Sequence, residues 1–264
     1  MRTKVFTRSI NWELYRMSQR CVGLDLPRVR LVNTTADGYF YRMLSDTTCD
    51  WAINIDEDAF VVDASAILEL LEYMKREGFV NCGMPDGVQV RPCNPIVTNP
   101  FFNILNLSAI REQFNLDEIK TFNYQEHSDE LRAKLPPRLR QMDGDRFQMD
   151  KEEPFYNFFF WMAFHFPTLY LEAETHSDGI STVLKNHEGN PMLYHSWFSR
   201  EWRSDAQHTQ RIGQLYREVC QLRQTNPVIP VGWRIWSPID RQWQILCRKT
   251  NSALLRLKMT TGSK

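Results

Sequence analysis

The densest group of acidic side chains in the sequence directly follows a short apolar run. Residues 51–55 are mostly apolar, and Asp56, Glu57 and Asp58 come next. Such a run predicts a buried strand, and open α/β sheets bind ligands at the carboxyl edge of their parallel strands. Carboxylates at positions i and i+2 of an extended turn point the same way, and Mn²⁺ or Mg²⁺ prefers oxygen ligands. The motif predicts a divalent-cation site that would in turn bind a diphosphate, with a solvated acidic turn as the alternative.

A second pair of carboxylates stands where a helix is predicted to begin. Glu152 and Glu153 precede Pro154 and the aromatic run 155–166. Acids followed by proline and apolar residues mark a helix N-terminus, where the helix dipole favours an anion by about 0.3–1 kcal/mol. A carboxylate beside such an aromatic wall also suits a general base. The pair is therefore either catalytic or only a favourable helix start.

Six histidines are scattered along the chain, and none belongs to a His-Glu-x-x-His motif. His195 ends a short apolar run, and a histidine at the end of a strand can bind a metal through one neutral ring nitrogen. We expect His195 to be a metal ligand, with a purely structural role as the alternative. His187 is the second choice, and His176 and His165 are predicted to be structural.

With these residues in this order, the chain resembles the metal-dependent nucleotide-sugar glycosyltransferases with the GT-A-type fold. In that family an Asp-x-Asp follows a central strand and holds a cation against the diphosphate of the donor. Three more stretches match the family layout over residues 1–200, namely 39–44 (YFYRML), 151–154 (KEEP) and 194–197 (YHSW). The resemblance implies a single-domain, Rossmann-like α/β fold.

The resemblance also implies catalytic and metal-binding roles. Asp56 and Asp58 would hold Mn²⁺ or Mg²⁺, with His195 as a further ligand. Glu153 stands at the position of the base in inverting members, and Glu152 lies beside it. An inverting enzyme is expected, and a retaining one is the alternative because no sequence feature determines the stereochemistry.

Five residues are assigned to the nucleotide-sugar donor. Thr7 and Arg8 follow the first predicted strand, where the nucleotide base would lie in such enzymes. Arg42 belongs to the predicted helix that faces the diphosphate, and arginine forks suit phosphate oxygens. Asp37, in the turn before that helix, would contact the nucleoside, and Glu57 is assigned to the donor with its neighbouring aspartates.

Three residues are assigned to the acceptor. Asp86 lies in a Pro-Asp-Gly sequence typical of a turn, and its carboxylate would bind sugar hydroxyls. Trp197 and Trp202 would stack on the apolar face of a sugar. The alternative for both tryptophans is a place in the core, where large aromatic side chains are common.

The predicted elements alternate between strands and helices, which favours a mixed, mainly parallel sheet flanked by helices. Strands are predicted at 4–7, 29–32, 51–55, 100–107 and 169–172, and helices at 12–20, 39–44, 64–75, 154–166 and 201–223. Residues 115–150 are polar and irregular, so we expect a long functional loop there, and 176–200 is a second predicted loop. We predict that residues 1–240 form one catalytic domain.

The end of the chain has a distinct composition. Residues 241–264 carry six cations and no acids, mixed with Trp243 and several leucines. This pattern predicts a basic amphipathic tail that lies peripherally on anionic lipid. The alternative is a solvated surface around a final strand or helix.

Composition limits the class of protein. Apolar residues make up 42% and charged residues 24%, which is typical of a globular chain and excludes a disordered one. Lys plus Arg equals Asp plus Glu at 32 each, so nucleic acid is not an expected partner. No apolar run approaches the roughly 20 residues that span a bilayer, and no secretory signal is evident. The six cysteines are scattered, so reduced thiols in the cytoplasm are expected.

These features predict a glycosyltransferase of polysaccharide biosynthesis that acts on a glycan or a lipid-linked acceptor. We expect it in the cytoplasm, peripheral on the cytoplasmic face of the membrane. A metal-dependent nucleotidyltransferase is one alternative, although no Gly-rich phosphate loop is present. A non-catalytic glycan-binding module is another, which would explain the eight tryptophans but not the acidic residues.

Overall fold

The computed structural model describes residues 1–90 and 92–261, with side chains described as far as residue 248. In these residues ten strands form two sheets. The strands are β1 (Thr3–Arg8), β2 (Arg28–Leu31), β3 (Trp51–Ile55), β4 (Ala59–Val61), β5 (Asn81–Gly83), β6 (Phe102–Asn106), β7 (Thr168–Tyr170), β8 (Ala173–Thr175), β9 (Thr182–Lys185) and β10 (Pro191–His195).

The central sheet has six strands in the order β2-β1-β3-β6-β5-β7. β1 is parallel to β2 and β3, and β5 is parallel to β7, whereas β6 is antiparallel to both of its neighbours. All strands except β6 therefore point the same way. All five residues of β3 are buried, as its apolar sequence predicts. The prediction of a mixed, mainly parallel α/β sheet flanked by helices is confirmed.

Helices connect and flank the strands. They are α1 (Trp12–Val22), α2 (Gly38–Leu44), α3 (Ala64–Glu77), α4 (Leu107–Gln113), α5 (Leu116–Thr121), α6 (Tyr124–Lys134), α7 (Pro137–Arg140), α8 (Tyr156–His165), α9 (Ala206–Leu222) and α10 (Val231–Thr261). Asn11 before α1 and Asp63 before α3 each accept two backbone N–H groups of the first turn. Gly23 and Gly78, with φ of 61° and 75°, end these two helices.

The second sheet is antiparallel and has the strand order β4-β10-β9-β8. The prediction of a loop over residues 176–200 is therefore wrong for β9 and β10. Three consecutive residues of β9 are buried, and so are the two central hydrophobic residues of β10. Because both faces of these strands are buried, their sequences lack the alternation of apolar and polar residues by which a half-exposed strand is recognised.

The prediction of an irregular loop over residues 115–150 is also wrong. The segment contains α5, α6, α7 and a 3₁₀ turn at Gly144–Gln148. Six of its apolar side chains are buried in one core cluster with α8, namely Ile119, Tyr124, Leu131, Leu135, Leu139 and Phe147. Because each short helix contributes only one or two such residues, its amphipathic pattern is weak in the sequence.

Helix α8 is the centre of that cluster. It begins at Tyr156, two residues after Pro154, close to the predicted start. The helix is apolar on all faces, as expected for a helix that is buried all round. The Phe40 ring of α2 lies 5.1 Å from the Phe158 ring, and the Tyr124 ring of α6 lies 4.1 Å from the Phe160 ring. α8 thereby joins the central sheet region to the helical segment 115–150.

The C-terminal helix α10 runs without interruption through the predicted boundary between residues 240 and 241. Its first turns are fixed to the domain, because Arg30 of β2 makes two hydrogen bonds of 2.7 Å to Asp240 and the Arg20 guanidinium lies 4.5 Å from the Trp233 ring. The side chains of 249–264 lie outside the described residues, as do residues 262–264 altogether. None of the helices in the described part has the length and apolar character needed to cross a membrane.

The central position of β3 leads to a stability prediction. Ile53 is fully buried in this strand. Ile53→Ala should lower the free energy of unfolding by about 2–5 kcal/mol, because it removes apolar contacts and leaves a cavity. Leu68→Ala on the outer face of α3, where the side chain is 42% exposed, is the control and should change it by about 0.5 kcal/mol at most. Urea denaturation measures both; equal losses would contradict the assignment of β3 as the core strand.

Candidate functional site

Three strand ends bring side chains to one edge of the central sheet. β1 and β3 are parallel neighbours, so Arg8 at the end of β1 and Asp56 just after β3 lie at the same edge. β6 runs the opposite way, and its first residue, Phe102, pairs with Ile55. The segment 99–101 that precedes β6 therefore reaches this edge as well.

The second sheet adds His195 to the same place. β4 begins directly after the acidic motif, and in its pairing with β10 the residue opposite Ala59 is His195. The backbone N–H of Ser196 donates to the Asp58 carbonyl at 3.0 Å, and its hydroxyl donates to Asp58 Oδ2 at 3.3 Å. Nε2 of His195 lies 3.3 Å from Asp58 Oδ1. The strand register thus brings the predicted histidine against the predicted carboxylate.

A cavity of about 410 Å³, called the first cavity below, opens at this edge. Six residues singled out from the sequence line it: Arg8, Asp56, Asp58, Glu153, His195 and Trp197. The other lining residues are Ala36, Val90, Asn99, Pro100, Phe101, Phe155, Phe198, Ser199, Arg200 and Glu201. The structure therefore gathers the acidic motif, the predicted base and the predicted histidine around one space.

The two aspartates of the acidic motif have pKa values shifted in opposite directions. Burial, and next the charge of Asp58, raise the pKa of Asp56 to about 6, against the opposing effect of Arg8. Burial acts on Asp58 too, but the facing His195 and the Ser196 hydroxyl hold the pKa of Asp58 below its usual value. Repulsion between two like charges this close raises the pKa of one of them, and a positive charge beside both would offset that repulsion.

The donor atoms here suit a divalent cation. Among the described residues, no three His, Cys, Asp or Glu side chains are grouped closely enough to hold a metal ion in their present positions. Asp56 and Asp58 nevertheless supply the carboxylate oxygens that Mn²⁺ and Mg²⁺ prefer. His195 Nδ1 is buried and forms no hydrogen bond within the described part of the chain. Buried polar atoms without a partner carry a free-energy cost that a bound ligand would remove.

The His195 ring is held between two aromatic rings. The Phe101 ring stacks on it at 4.2 Å with a tilt of 9°, and the Trp197 ring lies 4.4 Å away. Trp197 Nε1 donates to Thr182 Oγ1 at 2.8 Å. Trp197 and Phe198 both have left-handed backbone angles, with φ of 59° and 58°, which bulky residues rarely adopt. Strain of this kind is found at functional sites more often than elsewhere.

Arg8 provides positive charge at the wall of the first cavity. Its guanidinium carbon lies 5.7 Å from the centre of the Tyr39 ring, and its Nε is buried without a hydrogen bond. Within the described residues Arg8 forms no ion pair. Such a guanidinium is suited to bind phosphate oxygens.

The other residues assigned to the donor do not line the first cavity. Thr7 is buried and accepts a hydrogen bond of 2.9 Å from Gln19 of α1. Arg42 donates to a backbone carbonyl just after β2, and Asp37 is half-buried before α2. Glu57 is buried, and its Oε2 accepts two backbone N–H groups of the segment that follows β1.

Three further predicted residues are also placed outside the first cavity. Asp86 is buried and accepts hydrogen bonds from the Tyr156 hydroxyl at 3.0 Å and from the Asn99 amide at 2.8 Å. Since Asn99 lines the cavity, Asp86 supports that wall from behind. Trp202 is buried and donates to a carboxylate of α1, and Glu152 is exposed.

Sequence reasoning missed part of the cavity wall. The apolar pattern predicts that Phe101 lies inside a strand. β6 is antiparallel to its neighbours, so its start lies at the site, and nothing in the sequence indicates that direction. Ser199, Arg200 and Glu201 follow the 194–197 motif directly. Extending that motif by four residues would have included all three.

Comparison with known proteins adds little to this geometry. No protein-family model matches the chain. No curated protein matches it either. One solved structure, the crystal structure of A197 from STIV, is similar to part of the chain, with 15% sequence identity and a TM-score of 0.32. The similarity covers 44% of this chain and 70% of that one, and at this TM-score it supports no argument about fold or function.

The repulsion within the acidic motif can be tested by titration. Asp58→Asn should lower the pKa of Asp56 from its value of about 6, because the charge of Asp58 is one of the causes of that elevation. Carbon NMR of the carboxyl groups in metal-free buffer measures the change. Asp63→Asn is the control, since asparagine caps a helix as well as aspartate does. An unchanged Asp56 pKa in Asp58→Asn would mean that the two carboxylates do not interact.

Proposed function

We propose that the protein is a metal-dependent glycosyltransferase that moves a sugar from a nucleotide-diphosphate donor to a hydroxyl of a glycan or a lipid-linked acceptor. The observation that carries the proposal is the first cavity. It collects Asp56, Asp58, His195 and Glu153 from three separate parts of the chain. Two carboxylates and a histidine on one wall suit a cation that binds a diphosphate. The separate carboxylate on another wall suits the role of proton acceptor.

The topology supports a GT-A-like, Rossmann-like catalytic domain over residues 1–240. The acidic motif follows β3, which is in the interior of the sheet, at the edge where open α/β sheets bind ligands. The small second sheet starts immediately after the motif and returns His195 to it. Both features agree with the layout that the sequence resembles.

In this proposal Asp56, Asp58 and His195 would hold the Mn²⁺ or Mg²⁺. The ion, when bound, would supply positive charge against the diphosphate that leaves with the nucleoside. Arg8 would bind phosphate oxygens from the same wall, because its guanidinium has no ion pair within the described residues. Arg42 and Glu57 would act on the donor side by holding backbone segments behind this wall, and Thr7 by its hydrogen bond to Gln19. Asp37 would contact the nucleoside.

Glu153 is the general base in this proposal. It lines the first cavity and is half-buried, whereas Glu152 is exposed. The acceptor hydroxyl would give its proton to the Glu153 carboxylate, while its oxygen bonds to the anomeric carbon. The bond from that carbon to the phosphate oxygen would break, and the electron pair would leave with the diphosphate. Attack opposite the leaving group inverts the configuration; a retaining course would need no such base.

The acceptor sugar would meet an aromatic wall. Trp197 and Phe198 line the first cavity, and their rings suit the apolar face of a sugar. Asp86 would act on the acceptor only through Asn99, which it orients. Trp202 would support the site from the core.

We also propose that the protein is cytoplasmic and binds the membrane surface peripherally through residues 241–264. Trp243 and Leu246 are 63% and 55% exposed, and Arg241 is exposed near them on α10. Exposed tryptophan and leucine beside arginine are typical of helices that lie on anionic lipid. The remaining predicted leucines of the tail lie among residues whose side chains are not described.

The proposed function is tested by a donor screen combined with two glutamate variants. With Mn²⁺ present, one nucleotide sugar of a panel should be consumed with release of a nucleoside diphosphate. Glu153→Gln should lower turnover by about 10²–10⁴-fold, because it removes the proton acceptor, and leave donor affinity nearly unchanged. Glu152→Gln is the matched control and should be mild, because its side chain lies outside the cavity.

Several outcomes would contradict the assignment. Release of inorganic pyrophosphate from a nucleoside triphosphate would favour the nucleotidyltransferase. Glycan binding without turnover of any donor would favour the binding module. Normal turnover in Glu153→Gln, with retention of configuration in the product, would show that Glu153 is not a general base and would indicate a retaining enzyme.

A further inference from the structure

A second cavity, of about 570 Å³, lies beside the first. The two cavities share Ser199 and Arg200 as lining residues, so the short segment after Trp197 separates them. The rest of the second cavity is lined by Ile10, Asn11, Glu13, Glu57, Arg203, Arg234, Ser237, Pro238 and Arg241. The C-terminal helix α10 contributes four of these residues, and the donor chemistry proposed above uses none of the four.

The wall of the second cavity carries an excess of positive charge. It is lined by four arginines and only two carboxylates, Glu13 and Glu57. Glu13 is already engaged, because Arg203 makes hydrogen bonds of 2.7 and 3.1 Å to its two oxygens. Glu57 is turned inward, with its Oε2 on the backbone N–H groups of Ile10 and Asn11 at 2.9 and 2.8 Å.

The other three arginines have no counter-charge among the described residues. Within the described part of the chain, Arg200, Arg234 and Arg241 form no ion pair, and all three are exposed. Cations around a concave surface of low dielectric concentrate positive potential inside it. Guanidinium groups match phosphate oxygens with two parallel hydrogen bonds each. The second cavity is therefore suited to a ligand with phosphate groups.

The turns of α10 that carry these arginines are held against the rest of the domain. Arg234 and Arg241 are seven residues apart, which puts them on the same face of the helix, with Ser237 between them. The Ser237 hydroxyl donates to Asn11 Oδ1 at 3.0 Å, next to α1. The two hydrogen bonds of 2.7 Å between Arg30 and Asp240 fix the same turn of the helix. The cavity wall thus needs no large rearrangement before a ligand binds.

A different face of α10 is apolar and exposed. Its large side chains are 49–72% exposed and comprise Val231, Ile235, Trp236, Ile239, Trp243 and Leu246. At 100° per residue these six positions lie within one sector of the helix, and Arg234 and Arg241 lie outside that sector. An exposed stripe with two tryptophans, flanked by arginines, complements an anionic lipid surface.

We propose that the second cavity binds the diphosphate of a lipid-linked acceptor, presented by the membrane on which α10 lies. This inference rests on the proposed glycosyltransferase function and specifies the acceptor class. The diphosphate would contact Arg200, Arg234 and Arg241. The sugar attached to it would extend past Ser199 into the first cavity, where Glu153 would take the proton of its hydroxyl. The lipid chain would remain in the membrane beside the apolar face of α10.

Calorimetric titration of the full chain with inorganic pyrophosphate in metal-free buffer tests the diphosphate site. The parent should bind pyrophosphate without a metal. The double variant Arg234→Gln/Arg241→Gln should bind at least about tenfold more weakly, because it loses two charged hydrogen-bond donors. The variant Arg234→Lys/Arg241→Lys keeps the charges and should retain part of the affinity, which separates loss of charge from loss of fold.

Two matched controls make this result specific. Arg217→Gln removes an exposed arginine of α9 outside both cavities and should leave pyrophosphate affinity unchanged. Arg140→Gln removes an exposed arginine of α7 outside both cavities and should also leave metal-free binding unchanged. The proposal is overturned if the parent does not bind pyrophosphate, or if the double glutamine variant binds it as the parent does.

Vesicle binding identifies the source of the phosphate. The parent should sediment with phosphatidylcholine vesicles that contain a polyprenyl diphosphate more than with phosphatidylserine vesicles of equal charge. The double glutamine variant should lose that difference. Equal binding to both vesicles, or pyrophosphate binding with no preference for the diphosphate lipid, would exclude a lipid-linked diphosphate as the ligand.

Failure of this inference can be distinguished from failure of the proposed function. If no nucleotide sugar is consumed but metal-free pyrophosphate binding depends on Arg234 and Arg241, the glycosyltransferase assignment fails and the phosphate site remains. If a donor is consumed and the double glutamine variant matches the parent in every binding assay, the enzyme assignment remains and the acceptor class is wrong.

Discussion

The rest of the structure is arranged around two carboxylates two residues apart, of which Asp58 is buried and Asp56 is half-buried. Asp56 and Asp58 repel each other at a wall where burial reduces screening by solvent. The fold compensates with Arg8 from β1, with His195 from β10 and with the Ser196 hydroxyl on Asp58. Loss of any such partner would leave buried charge uncompensated, which is costly. Strands that are far apart in the sequence therefore meet at this one turn, and a bound divalent cation would complete the compensation.

The same turn connects a strand of each sheet and contributes side chains to both cavities. β3 ends at Ile55 and β4 begins at Ala59, so the three acidic residues are the whole connection between these two strands. The turn is closed by a hydrogen bond of 3.1 Å from the Ala59 N–H to the Asp56 carbonyl. Asp56 and Asp58 line the first cavity, whereas Glu57 lines the second. A donor site and an acceptor-phosphate site on the two sides of one turn would bring the two substrates together without a moving domain.

Residues at the ends of regular elements were predictable, and residues that depend on packing were not. Arg8 and the acidic motif follow apolar strands, and Glu153 precedes an aromatic helix, so local patterns reveal them. Asp86 and Trp202 look like ligand-binding residues in the sequence, yet their polar atoms are engaged by buried partners from distant segments. The helices at 115–150 are stabilised by α8 rather than by their own pattern. The arginine-rich wall of the second cavity forms because α10 packs beside the acidic motif, and no local sequence pattern encodes that contact.

The central claim is that the acidic motif binds a diphosphate through a divalent cation. Calorimetric titration of a nucleoside diphosphate, with and without Mn²⁺, measures this directly in the parent and in Asp58→Asn. The account predicts that Mn²⁺ strongly increases the affinity of the parent for the nucleoside diphosphate, and that Asp58→Asn loses this Mn²⁺-dependent increase while its thermal unfolding stays cooperative. Equal Mn²⁺-dependent affinity in the two proteins would contradict the account.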